Sequence, residues 1–164
     1  MDMVPRALTL SVLGILFASA TIAPAHAAVT AKNANGSSIS INKSVYTKAT
    51  MVTVTGRGFD ETVGIYLALC VVPKTGERPT PCGGGVNKSG VGESSYWISS
   101  NPPPYGRSLA IEYLPGGRFS QKVNITKRIG KFDCTKVKCA ITVRADHIRE
   151  GDRSRDIFIP IKFK

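Results

Sequence analysis

From Ile39 onward apolar and polar residues alternate at period two, and no stretch of ten or more shows the i, i+3, i+4 spacing of an amphipathic helix. The alternation predicts seven strands, at 38–41, 51–55, 63–70, 95–99, 118–125, 138–144 and 156–163, separated by Gly, Pro, Asn and Asp clusters. Successive side chains on a strand point to opposite faces, so one face of each strand collects the core residues. Val63, Ile65, Leu67 and Leu69 form one such set. Phe119, Val123 and Ile125, then Cys139, Ile141 and Val143, then Ile157, Ile159, Ile161 and Phe163 form the others. Seven short alternating strands predict an all-β, seven-stranded immunoglobulin-like sandwich. Gly56-Arg57-Gly58-Phe59-Asp60 reads as a turn, with both glycines at backbone angles a side chain would penalise.

The first residues follow a different rule. Arg6 precedes an unbroken, mostly apolar run from Ala7 to Ala20, and Ala25-His26-Ala27 supplies small residues before a cut, which predicts a signal peptide over 1–27. Residues 28–37 are small and polar and read as a flexible leader, leaving 38–164 as the folded domain. Export sets the expectation of a secreted or extracellular protein, with cell-envelope association as the alternative to free release, and with no transmembrane span after cleavage.

An oxidising compartment makes disulfides the expected state of the four cysteines. Cys70 with Cys82 and Cys134 with Cys139 is the simplest of three connectivities, each short loop contributing about 2 to 3 kcal/mol. Zinc would want closer cysteine spacing or several histidines, and His147 is the one histidine after the predicted cut. No metal ligand and no cofactor is assigned.

The chain carries 22 Lys+Arg against 11 Asp+Glu, a formal net charge of +11. Lys122, Lys127, Arg128, Lys131, Lys136 and Lys138 lie in or near one hairpin around the second cysteine couple, a candidate patch for a polyanion. Outside the cell that partner would be an anionic envelope polymer, lipid headgroups or DNA.

Two long irregular segments, 71–94 and 100–117, are candidate binding loops on a rigid scaffold. Trp97, the single tryptophan, lies between Tyr96 and, eight residues on, Tyr105; with Tyr66 these rings are the candidate surface for stacking a flat ligand. The segment 144–156 alternates in sign and reads as a solvated loop. Its Asp146 and His147 have no nucleophile at a meaningful spacing, so no catalytic residue is assigned and the protein is not expected to be an enzyme.

The run Val52-Thr53-Val54-Thr55-Gly56-x-Gly58-Phe59, a strand ending in Cys70, a stretch to Cys82, and Asp133-Cys134-Thr135 followed by Cys139-x-Ile141 together resemble the neocarzinostatin family of actinobacterial apo-chromoproteins. The resemblance covers roughly residues 39–163 and includes both cysteine couples in their order. It is that of a divergent member: Val71-Val72 stand where the chromophore carriers place an aromatic, and this chain is basic where they are acidic. The resemblance implies a secreted sandwich with a disulfide-closed ribbon and a cleft between them. The expected partner is a small hydrophobic or aromatic molecule in that cleft; the alternative is a surface module docking its basic face on an anionic envelope.

Overall fold

The computed structural model describes residues 27–84 and 94–164; the predicted signal segment up to residue 26, and residues 85–93 of the first long loop, lie outside the described residues. All seven predicted strands form, as β2 (Ser38–Ile41), β4 (Thr50–Arg57), β5 (Ile65–Val71), β6 (Ser95–Ile98), β8 (Phe119–Ile125), β11 (Cys139–Ala145) and β12 (Ile157–Phe163). Shorter strands join them: β1 (Val29–Lys32), β3 (Val45–Tyr46), β7 (Ala110–Ile111), β9 (Arg128–Ile129) and β10 (Phe132–Asp133). One sheet has the order β1-β2-β4-β8 and the other β3-β12-β11-β5-β6-β7, while β9 and β10 form a separate hairpin.

The core lies between the two larger sheets. Ile39, Ile41, Val52, Val54, Phe119, Val123 and Ile125 face it from one side, and Ile65, Leu67, Leu69, Ile98, Ile141, Val143, Ile157, Ile159 and Ile161 from the other. Burying each large aliphatic side chain stabilises the sandwich by about 1.5–3 kcal/mol, the main term holding the sheets together. Tyr96 crosses this layer, its hydroxyl donating to the Lys122 carbonyl of the opposite sheet at 2.6 Å.

Two expectations are corrected. Residues 28–37 are not a loose leader: β1 pairs with β2 from Val29↔Ile41 to Lys32↔Ser38, and Val29 and Ala31 pack on the core edge. The turn between them is held by the Asn33 carboxamide oxygen, which accepts from the amides of Asn35 and Ser37, each at 3.1 Å. Asn and Gly there are turn chemistry rather than linker composition, and a strand with only two small apolar residues carries a weak alternation signal. Gly56, in turn, sits inside β4 opposite Phe119, whose ring would lie 2.1 Å from an added Cβ. That glycine answers to packing; Gly58, at φ +72°, does take the turn conformation.

The chain between β11 and β12 is built from aspartates. Asp146 caps the 3-10 turn His147–Arg149 by accepting from the Ile148 amide, and Asp152 caps Arg153–Arg155 by accepting from the Ser154 amide. Asp156 closes the segment, its Oδ2 pairing with Arg153 at 2.9 Å while its Oδ1 is buried with no partner among the described residues. Burial, opposed by Arg153 and Arg144, pushes the Asp156 carboxyl up to about 6.

Two stability predictions follow from this scaffold. Gly36 and Gly117 both have positive φ, at +85° and +60°, but a Cβ on Gly36 meets open space whereas one on Gly117 would sit 1.8 Å from the Phe59 carbonyl oxygen. Gly36→Ala is expected to cost about 1–2 kcal/mol from backbone conformation alone, and Gly117→Ala clearly more, as measured by urea unfolding. For Asp156, a carboxyl whose folded pKa lies above its unfolded value favours the folded state when protonated. Its contribution is therefore full below about pH 4 and lost as pH rises through about 6. Unfolding midpoints across that window should fall with rising pH, and Asp156→Asn should flatten that part of the profile.

Candidate functional site

The outward face of the six-stranded sheet is as ordered as its inward face. Register aligns Arg144, Tyr66 and Trp97 in one row across β11, β5 and β6, and Thr142, Ala68 and Ser95 in the next. A third row joins Ala140 to Cys70 and Cys82 through an isolated antiparallel bridge. All these residues lie on the non-core side of their strands because Leu67, Leu69, Ile141, Val143, Tyr96 and Ile98 take the other side. Large side chains fill the first row and small ones the next two. The difference in height leaves a hollow.

That hollow is a cleft of about 620 Å³. Its floor includes Ala68, Cys70, Ser95 and Thr142, and its walls are Tyr66, Trp97, Tyr105, Leu109, Arg144 and His147 on one side and Arg78, Pro79, Thr80, Pro81 and Cys82 on the other. The second wall is the disulfide-closed segment. Cys70 and Cys82 are bonded, the Val71 amide donates to the Pro81 carbonyl at 3.0 Å, and the Gly83 amide donates to the Leu69 carbonyl at 2.7 Å. Residues 81–83 thus continue along β5 where β6 leaves off. The chain departs at Gly84 and returns at Ser95, and a Cβ on Gly84 would come within 2.9 Å of Ser94 and Ser95.

Trp97 is 8% exposed yet belongs to the outward face rather than the inter-sheet core. Its indole N–H donates to Asp146 Oδ2 at 3.1 Å, and Asp146 is fully buried. The same aspartate accepts from the Ile148 amide with its other oxygen, and its own amide donates to the Gly64 carbonyl at 3.1 Å. Gly64 has no room for a side chain, since a Cβ there would fall 2.0 Å from Asp146 Oδ2 and 2.9 Å from the indole nitrogen. A buried carboxylate is tolerated because each oxygen receives a donor.

His147 follows Asp146 and turns into the cleft. Its Nδ1 lies 2.5 Å from the Tyr66 hydroxyl and its Nε2 lies 2.7 Å from the Tyr105 hydroxyl. A neutral imidazole donates from one nitrogen and accepts at the other, so either tautomer satisfies both tyrosines. Trp97 meets the imidazole edge to face at 4.9 Å between ring centres, and Tyr66 and Tyr105 lie 6.3 and 6.4 Å from Trp97. Four rings therefore form one wall, with Tyr105, 63% exposed, at its lip. Burial and the nearby Asp146 charge push the Tyr66 phenol up, which keeps it neutral. A metal at His147 would have to displace one of the two hydroxyls, and the described residues contain no group of three His, Cys, Asp or Glu able to hold one.

Two guanidinium groups border the same space. Arg78 pairs with Glu150 at 2.6 Å. Arg144 is half-buried against the Tyr66 ring, 5.1 Å from its centre. Burial, with the Arg78 charge second, lowers its pKa from the usual arginine range.

Of the predicted aromatic set, the structure brings Tyr66, Trp97 and Tyr105 together and separates Tyr96, whose ring is turned to the core although the residue borders the cleft. The correction has a simple cause: neighbours on a strand cannot both face one side. Within 144–156, residues 147–151 are exposed and Arg153 pairs with Asp156 and Arg155 with Asp152, as a solvated loop would, but Asp146 is buried and Arg144 and His147 line the cleft. Sequence reasoning misses His147 and Arg144 as binding residues; for Arg144 the signal is the register Arg144↔Tyr66↔Trp97, a long-range property. Five of the predicted polyanion residues, Lys127, Arg128, Lys131, Lys136 and Lys138, occupy the β9–β10 hairpin and the adjoining loop closed by Cys134–Cys139. Lys122 projects instead from β8, where it is exposed opposite Thr53.

No family model and no curated protein sequence matches the chain. Among solved structures it is similar to macromomycin, with a TM-score of 0.51 over 79% of this chain and 100% of that one, at 12% sequence identity. At that identity the likeness is one of fold, and the β-sandwich seen here is the fold it shares with macromomycin.

Proposed function

We propose that the protein is a secreted, non-enzymatic binding protein that holds a small, flat, hydrophobic or aromatic molecule in the cleft between the six-stranded sheet and the Cys70–Cys82 segment. The observation that carries this reading is the wall of four rings over a floor of small residues. A volume of about 620 Å³ falls within the 300–1,000 Å³ range usual for small-molecule sites. Both tyrosine hydroxyls on His147 are already engaged, so the rings offer faces rather than polar groups, and stacking is what such a wall does best. The position of the cleft agrees with the neocarzinostatin-like resemblance, which implies a ligand held between sandwich and ribbon. The short disulfide loop supports a preformed wall, which lowers the ordering cost of binding.

A specific observation favours a second reading, of a polyanion-binding surface. Along 127–138 the described residues offer one ion pair to five cations, the long Arg128–Asp133 contact at 3.9 Å. Lys131, Lys136 and Lys138 are exposed, a field suited to an anionic envelope polymer or DNA.

The first reading is tested by native mass spectrometry of the protein purified from its own culture supernatant, which should show an extra mass released on denaturation. Because Trp97 is the single tryptophan, one indole N–H signal reports on the cleft by NMR. It should shift saturably with 2-naphthol, and Tyr105→Ala at the exposed lip should weaken that binding about tenfold, the value of one lost stacked ring, with the unfolding midpoint unchanged. A cleft without passenger and an indole signal blind to the probe would overturn the reading. For the second reading, retention on anionic envelope polymer should fall steeply with added salt and with Lys131, Lys136 and Lys138 changed to Gln, while 2-naphthol binding stays as it was.

A further inference from the structure

The cleft is aromatic, but it is not electrically neutral. Arg144 lines it without a carboxylate within ion-pair distance among the described residues, and its recorded partner is the face of Tyr66. The acids near it are engaged elsewhere. Glu150, the one carboxylate lining the cleft among the described residues, is bound by Arg78. Asp156 acts on Arg144 from a distance but pairs with Arg153, and burial keeps its carboxyl up at about 6. The second guanidinium, Arg78, borders the same space but is offset by Glu150, so the unpaired positive charge lining the cleft among the described residues is that of Arg144.

We infer that the cleft selects an aromatic acid, a flat ring system whose ionised acidic group pairs with Arg144 while its rings lie among Tyr66, Trp97 and Tyr105. This inference rests on the reading of the cleft as a small-molecule site and names the ligand class. The register gives the dimensions. Arg144, Tyr66 and Trp97 stand in one row on three adjacent strands, their Cα positions spanning two strand spacings, about 10 Å, with the guanidinium 5.1 Å from the Tyr66 ring and that ring 6.3 Å from Trp97. A bicyclic ring with one acidic substituent covers that span. A guanidinium matches an acidic oxygen pair with two parallel hydrogen bonds, and its attraction to an anion is greatest where water is displaced. Burial outweighs the distant Asp156 charge and lowers the Arg144 pKa, the mark of a cation that has lost part of its hydration without an acid in contact. An anion in the cleft would supply that contact.

The test compares 2-naphthoate with 2-naphthol, near-isosteric probes that differ in charge, using the Trp97 indole signal at neutral pH and low salt. The expected result is at least tenfold tighter binding of 2-naphthoate. Arg144→Gln should bring the two probes to equal affinity, with an unfolding midpoint close to that of the unaltered protein showing that the variant is folded; Arg144→Lys should retain part of the preference. Added salt should weaken 2-naphthoate and spare 2-naphthol. Equal binding of the two probes to the unaltered protein, or a preference that survives in Arg144→Gln, overturns the acid selectivity and leaves the cleft reading standing. Failure of both probes to move the indole signal overturns the cleft reading and the inference together.

Discussion

A single buried carboxylate organises the binding face. Asp146 sits at the end of β11, and its two oxygens are divided between the Trp97 indole and the first turn of the following 3-10 segment. One oxygen thus fixes the orientation of the largest ring in the cleft, and the other sets the direction in which the chain leaves the sheet. That direction delivers His147 to a point between Tyr66 and Tyr105. Gly64 completes the arrangement by leaving the volume that the carboxylate occupies. Leaving one of these partners unmatched in a buried setting would cost about 1–3 kcal/mol, so Asp146, the Trp97 indole, the Ile148 amide and Gly64 act as a unit.

The sheet contributes shape through side-chain size. In a sandwich the inward face must be filled to near crystal density, but the outward face carries no such demand. Here that freedom is used to place Ala68, Ser95 and Thr142 beside a row containing Tyr66 and Trp97. The cleft therefore needs no break in the hydrogen-bond ladder and no distortion of the strands. Its rigidity is that of the core beneath it, since Ala68 lies between Leu67 and Leu69 and Thr142 between Ile141 and Val143, all core residues.

Much of this was legible in the chain. Period-two alternation located the seven principal strands and their core faces because both sheets are half-buried in the way that produces such a pattern. The cysteine couples, close in sequence, were readable for the same local reason. What escaped is what depends on register and on distant chain. Tyr96 and Trp97 look like one aromatic patch until the pleat sends them to opposite faces. Arg144 and His147 look like members of a charged loop until β11 aligns with β5. The strand at Val29–Lys32 escaped because its alternation rests on Val29 and Ala31, too little apolar surface to stand out beside a polar turn.

The interrupted partner of β5 has an evolutionary consequence. Cys82 is fixed opposite Cys70 and Ser95 opposite Ala68, so the chain leaves and rejoins one continuous line of pairing. Whatever joins Gly84 to Ser94 is clamped at both ends by structure that does not depend on it. Closing a longer loop between fixed ends costs little, about 0.6 kcal/mol per doubling of its length. Insertions and sequence replacement between those two anchors can thus be accepted while the ladder, the disulfide and the core keep the same register.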